Sequence, residues 1–173
     1  MLKGDDKTSK ITLMLPINFR EPLDNKSDKT LGNQATSYPF ELPLIADFKT
    51  ALSQVSSDLL KLRRSYVTIG MYYLAEIALA LPYPLDLILA NFASKKISLI
   101  FTNVFGPTQS VKIAGAKSLK VKTMLPGLKG ITGGFAIISH RDNVSVSFTS
   151  DKARCSDGSL VISLFEQIIE SII

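Results

Sequence analysis

The first signal along the chain is an alternation. Between Lys10 and Arg20, the residues Ile11, Leu13, Leu15, Ile17 and Phe19 take one set of positions, and Thr12, Met14, Pro16, Asn18 and Arg20 take the other. A period of two over this length predicts a strand with one face on a core. Residues 21–33 are rich in Pro, Asp, Asn, Lys and Gly and predict a surface loop. The extended pattern resumes over 34–44, with Tyr38, Phe40 and Leu42 in register. At Asp47 the period changes. Phe48, Ala51, Leu52, Val55, Leu59 and Leu62 recur at three and four, the stripe of an amphipathic helix that ends near Arg63 and Arg64. Asp47 sits at the positive end of its dipole and the two arginines at the negative end.

Residues 65–94 contain only Glu76 and Asp86 as charges. A membrane-spanning helix needs about 20 mostly apolar residues. Here Pro82 and Pro84 end the run that begins at Ser65, and Glu76 lies inside it. An acidic side chain at the centre of a span costs about 2.5–3.5 kcal/mol. The pattern therefore favours two helices, broken at Leu81-Pro82-Tyr83-Pro84 and covered mostly by protein, over docking on a membrane surface or partner and over a single span through 65–81. Their large apolar residues occupy more than one helical face. When the chain stands alone, a patch around Tyr73, Leu74, Leu81, Leu89 and Phe92 is expected to stay open to a membrane or a partner, flanked by Arg63, Arg64, Lys95 and Lys96.

The remainder predicts a sheet and a closing helix. Ile97–Val104 is a near-continuous apolar run, the kind of strand buried on both faces. Val111–Ala114 and Leu119–Met124 read as short extended pieces around Gly115, and Pro126 to Gly134 as a glycine-rich connector. Thr132–His140 and Asn143–Thr149 read as a hairpin turning at Arg141-Asp142, with Val144, Val146 and Phe148 on one face. Ser156 and Asp157 cap a last helix with the stripe Leu160, Val161, Leu164, Phe165, Ile168 and Ile172. Strands interleaved with amphipathic helices place the chain in the α/β class, a mixed β-sheet packed by helices. A disordered or linker terminus (1–10) precedes one domain (11–173).

Composition narrows the chemistry. With 46% hydrophobic and 20% charged residues, the chain is neither a disordered tail nor a linker. One cysteine, Cys155, excludes a disulfide or CxxC pair within the chain, and one histidine, His140, excludes a two-His metal site. The start is polar and lacks a signal-peptide run, so the cytoplasmic side is expected. The net charge of +5 is dispersed and does not require nucleic acid. No GxSxG elbow presents a serine to His140. His140-Arg141-Asp142 lacks the spacing and companion motifs of a kinase loop. Gly127, Gly130, Gly133 and Gly134 lead into a strand instead of opening a helix, so they read as a turn more readily than as a phosphate cradle. Lys112, Lys117, Lys120, Lys122 and Lys129 form a basic cluster that is either a solvated face or a site for a phosphate-bearing ligand or anionic lipid. No pair of carboxylates is placed for acid–base work. The chain alone has no complete catalytic constellation.

One ordered series of segments adds to this. Leu15-Pro16-Ile17-Asn18-Phe19-Arg20, Gly32-Asn33, Thr102-Asn103-Val104-Phe105-Gly106-Pro107 and Ala114-Gly115 follow one another. The series resembles the C-terminal domain of the wax ester synthase/diacylglycerol acyltransferase family, with its PVNLR, Gly-Asn, SNVPGP and AG segments. Thr102 and Phe105 depart from that pattern, Ser139-His140-Arg141-Asp142 replaces a Ser-Tyr-Asn-Gly turn, and Asp151 matches the Asp after the last strand. The family's catalytic HHxxxDG motif is absent, and Val144 stands where an acid would follow His140.

The resemblance implies one lobe of a two-lobed, chloramphenicol-acetyltransferase-like fold. It also implies part of an enzyme that moves a fatty acyl group from acyl-CoA, its co-substrate, to diacylglycerol or a fatty alcohol. The catalytic histidines would come from an N-terminal lobe as partner, with no metal or bound cofactor. Asn18, Arg20, Asn33, Thr102, Asn103, Gly106 and Pro107 are then the candidates for the acyl cleft or lobe interface. Peripheral attachment to the endoplasmic reticulum, the plasma membrane or a lipid droplet is the implied location. The alternative is a non-catalytic lipid- or partner-binding module of the same fold.

Overall fold

The computed structural model describes residues 10–19, 34–127 and 130–172. Of the expected linker (1–10), residues 1–9 lie outside the described residues and Lys10 begins a strand; the loop at 21–33 and the candidates Arg20, Asn33 and Lys129 lie outside them too. Two compact units divide the chain after Ile97.

In the first unit, the two alternating segments become β1 (Lys10–Asn18) and β2 (Ala35–Pro43), paired antiparallel with Leu13 opposite Phe40 and Asn18 opposite Ala35. Three helices follow: α1 (Phe48–Arg64), α2 (Val67–Leu79) and α3 (Leu85–Ser94). Asp47 caps α1, accepting from the Thr50 hydroxyl at 2.6 Å and the Thr50 amide at 2.8 Å. Those two bonds hold its carboxyl below the usual carboxylate range. α2 lies against β2, where Thr36 and Phe40 are buried and the Thr36 hydroxyl donates to the Met71 carbonyl at 3.3 Å. The chain breaks after Ala80 through Pro82 and a cis Tyr83–Pro84 bond, as the prolines predict.

The protein cover expected over 65–94 is not there. Within α2 and α3 Thr68 alone is buried, and Tyr73, Leu74 and Phe92 are 63%, 55% and 62% exposed. Leu89 is exposed too, while Leu81 is half-buried. Geometry explains this. α2 already occupies β2, and α3 packs on α2. The α1 stripe narrows for the same reason: Ala51, Val55 and Leu62 are half-buried, whereas Phe48, Leu52 and Leu59 are exposed.

The second unit holds β3 (Leu99–Phe105), β4 (Lys112–Ile113), β5 (Ala116–Lys117), β6 (Gly133–His140), β7 (Asn143–Ser150) and α4 (Gly158–Glu170). β6 runs between β3, its parallel neighbour, and β7, its antiparallel one. The sheet is mixed and packed by helix, an α/β arrangement. Arg141 turns the β6–β7 hairpin at φ +56°, the left-handed conformation that primed hairpin turns place at their first position.

Each face of this sheet has a different cover. On one, Gly134, Ala136, Ile138 and His140 are buried in strict alternation beneath the irregular chain between β3 and β6. Ser147 donates to the Thr123 carbonyl at 2.6 Å, and a Cβ at Gly134 would meet Leu125 at 2.6 Å. These contacts hold the stretch Leu119–Met124, expected as an extended piece, without a ladder. On the other face α4 packs through Phe165, whose ring lies 5.6 Å from that of Phe135, itself 4.6 Å from Phe148.

That second cover is short. β3 is not buried on both faces along its length: Ile100 is buried, but Asn103, Val104 and Phe105 are exposed. In α4 Val161 and Phe165 are half-buried, while Leu160, Leu164 and Ile168, with Ile172 just past the helix, form an open ridge at intervals of four. Val144 is also exposed, unlike Val146 and Phe148 on the same face. Asp157 caps α4, and its bonds from the Ser159 hydroxyl and the Leu160 amide lower its pKa.

Both caps have folded-state pKa values lowered from the ordinary 3.8. Their contribution is therefore present above that value and fades as pH falls through the lowered one. Circular dichroism should show a reversible loss of helix on acidification below about pH 4. Asp47→Ala with Asp157→Ala should lower the melting temperature at pH 7 and shrink the difference between pH 7 and acid.

Candidate functional site

The end of β3 carries four of the sequence candidates. Thr102 is half-buried opposite Ala136 and Asn103 is exposed opposite Ile137. By the strand alternation, Asn103 shares a face with Ile137 and Val146, one rung beyond the Phe135–Phe148 pair that α4 covers. Phe105, 88% exposed, and Val144, 68% exposed, continue this open face. The result is an apolar floor with one amide at its border.

Gly106 and Pro107 have structural reasons for their identities. A Cβ at Gly106 would collide with the Ser139 carbonyl oxygen, so only glycine lets the chain pass this close to β6. The Pro107 carbonyl lies 2.9 Å from His140 Nδ1, and the Ser118 hydroxyl 3.3 Å from His140 Nε2. A carbonyl only accepts, so Nδ1–H donates to Pro107 and Nε2 accepts from Ser118.

Serine, histidine and an orienting acceptor in line are the ingredients of a nucleophile–base pair. The setting removes that chemistry. His140 is 2% exposed, and the Ser118 oxygen accepts the Val111 amide at 3.2 Å. Ser118 is half-buried and its oxygen already accepts a backbone amide, while the ring that would act as its base is closed to a leaving group. Cys155 does not supply a second pair, since both ring nitrogens of His140 are engaged elsewhere.

Asp151 also organises structure. Its carbonyl accepts from the amides of Arg154 and Cys155, and its carboxylate accepts from the Ala153 amide at 3.0 Å, making the turn into α4. Beside it a cavity of about 380 Å³ lies between Ile100, Leu125, Ile131 and Gly133 on one side and Thr149 and Asp151 on the other. Thr149 Oγ1 is buried there without a hydrogen-bond partner.

The first unit holds the other described candidates. Asn18 is exposed at the end of β1. Next to it Phe19, Gln34, Ile69, Tyr72 and Tyr73 line a second cavity of about 380 Å³, with the Phe19 and Tyr72 rings 5.4 Å apart. Tyr73 thus belongs both to this cavity and to the exposed α2 surface, which Leu74 extends. Among the described residues no group of three or more His, Cys, Asp or Glu could hold a metal ion. No described helix is long and apolar enough to cross a membrane.

Sequence reasoning passed over Ser118 and Ser147, whose hydroxyls pin irregular chain to the sheet. Nothing in their neighbourhood marks them, because their partners are about twenty residues away.

Residues 31–173 match the family described as the WS/DGAT C-terminal domain. The chain belongs to that family. Its acyltransferase character is thereby established at family level, as the ordered segments imply. The match takes in Thr102–Pro107 and Ala114-Gly115 and begins after Leu15–Arg20. The WS/DGAT segments acquire physical reasons here: the Gly of the first is the close approach to Ser139, and Ala114-Gly115 turns a hairpin with φ +48° and +84°. No curated protein and no solved structure matches the chain.

Two substitutions test the WS/DGAT strand end. His140→Ala removes two hydrogen bonds and leaves a cavity, and should cost about 3 kcal/mol in a denaturant titration. It should also speed amide exchange over 107–118. Gly106→Ala should cost about 1–3 kcal/mol through overpacking. Unchanged stability in either would remove the assigned role.

Proposed function

We propose that this chain forms the C-terminal part of a CoA-dependent O-acyltransferase that transfers fatty acyl groups from acyl-CoA to diacylglycerol or a fatty alcohol. Its base, the HHxxxDG histidine, would be supplied by an N-terminal lobe. Membership of the WS/DGAT C-terminal family over residues 31–173 is the observation that carries this reading. Two further features support it. The sequence has no second histidine and no HHxxxDG, and His140 is bonded on both nitrogens inside the sheet. An acyl-transfer base must be within hydrogen-bond reach of the acceptor hydroxyl.

In this reading the open floor around Asn103, Ile137 and Phe105 faces the acyl cleft or the other lobe, with Thr102 behind it. Asn18, Arg20 and Asn33 remain candidates for the acyl cleft or the lobe interface. Gly106 and Pro107 set the position of that floor. Acyl-CoA is the co-substrate and no cofactor stays bound. The enzyme would work at the cytoplasmic side, peripherally attached to the endoplasmic reticulum, plasma membrane or a lipid droplet.

A second reading, a non-catalytic lipid- or partner-binding module, draws on the exposed α2–α3 surface. Contiguous apolar area of that kind marks a contact site.

Labelled palmitoyl-CoA and diacylglycerol separate the two. The purified chain should give no triacylglycerol above background. Adding a WS/DGAT N-terminal lobe that carries HHxxxDG should restore product, and Asn103→Asp should reduce it about tenfold or more. Product from the chain alone, abolished by His140→Ala, would overturn the assignment of the base. If lobe addition restores nothing while the chain still binds diacylglycerol, the second reading stands.

A further inference from the structure

Between Asp86 and Asp142 the sequence contains no acidic residue, although seven lysines fall there. Four of these, Lys112, Lys117, Lys120 and Lys122, gather on or just after the β4–β5 hairpin, and all four are exposed. The register places Lys112 directly opposite Lys117. Like charges in directly opposed positions destabilise a hairpin. Neither has an ion-pair partner among the described residues. Two rungs of ladder with such a pair need another source of stability.

The rung above is apolar. Ile113 faces Ala116 across the turn Ala114-Gly115, so the tip reads Ile-Ala-Gly-Ala. Ile113 is 70% exposed, and just beyond the hairpin Leu119 is 84% exposed. The two lysines therefore stand at equal depth, about 3.4 Å behind an apolar tip. Long lysine stems can lie along apolar surface while their ammonium groups reach polar headgroups.

The base of the hairpin is fixed. The Ser118 amide donates to the Val111 carbonyl at 2.8 Å, the Ser118 oxygen accepts from the Val111 amide, and the Ser118 hydroxyl reaches buried His140. His140 in turn holds Pro107. A short ladder is thus tied at its root to the core strand β6 and open at its tip.

We infer that the β4–β5 hairpin is a docking finger for an anionic lipid surface, with the Ile113–Ala116 tip entering the headgroup layer and Lys112 and Lys117 meeting lipid phosphates. Charge complementarity selects this occupant: the finger and the sequence that flanks it, from residue 87 to residue 141, carry positive charge without a single carboxylate, and the tip is apolar. A freely diffusing phosphate solute would use the lysines and leave Ile113 without a role. This surface is separate in residues from α2 and α3 and does not depend on acyl transfer.

Flotation of the full chain with phosphatidylcholine vesicles, with and without phosphatidylglycerol, tests it. Binding should require phosphatidylglycerol. Lys112→Gln with Lys117→Gln should lower the vesicle partition coefficient about 30-fold. Ile113→Ser should weaken binding with the lysines intact, and circular dichroism should confirm that each variant stays folded. Binding that survives the lysine pair, or that Leu74→Glu with Leu89→Glu alone abolishes, overturns the proposal in favour of the α2–α3 surface. Displacement by inorganic pyrophosphate, with Ile113→Ser behaving as wild type, overturns it in favour of a soluble phosphate ligand.

Discussion

The contact on which the second unit depends is the hydrogen bond from His140 Nδ1 to the Pro107 carbonyl. A parallel pair such as β3–β6 needs a crossover of a dozen or more residues, usually a helix that covers the sheet by itself. Among its described residues the crossover here is irregular apart from the two-residue strands β4 and β5. Such a chain brings little cooperative ladder of its own, so its cover over Gly134, Ala136 and Ile138 must be held by discrete bonds. His140 fastens its beginning and, through Ser118, its hairpin, while Ser147 fastens it at Thr123. Burying a histidine is acceptable because both ring nitrogens are satisfied, and removing either partner would leave a buried polar atom unpaired.

The same arrangement explains the glycines. Close approach of a covering chain to a strand leaves no room for side chains at the crossing points. Gly106 crosses at the Ser139 carbonyl and Gly134 lies against Leu125 and the Ile100 carbonyl. These are packing constraints at the site's edge, and they place Asn103 on the opposite, open face of the sheet. The candidate site and its scaffold are thus two faces of one sheet.

Periodicity made the elements legible. The strand at 10–18, the helices at 48–64 and 158–170 with their Asp47 and Asp157 caps, and the proline break at 82–84 follow from local chemistry. The family was legible too, from segments whose order survives departures such as Thr102 and Phe105. Cover was not legible. An apolar stripe says that a face wants burial, not that another element reaches it. Leu160, Leu164 and Ile168 obey the helical period as well as Phe165 does, yet Phe165 alone of these meets an aromatic partner on β6. His140 was hidden for the converse reason: its partners, Pro107 and Ser118, lie 33 and 22 residues away.

The exposed apolar surfaces differ in what could cover them. α2 and α3 present Tyr73, Leu74, Ile88 and Phe92 with charge confined to Glu76, Asp86 and the flanking basic residues. Such broad surfaces suit a packed protein interface, because close contact recovers dispersion energy along the whole helix. The α4 ridge, spaced at four, has the shape of a helix-packing edge. The β4–β5 tip is too small for either. Four residues cannot make an interface core of the size stable complexes bury, but a bilayer needs only a short apolar insertion and neighbouring cations. Under the function proposed above, in which lipid acceptors are met at a membrane and a second lobe is held in place, both kinds of surface have a use. Their separation in sequence allows each to be altered without the other.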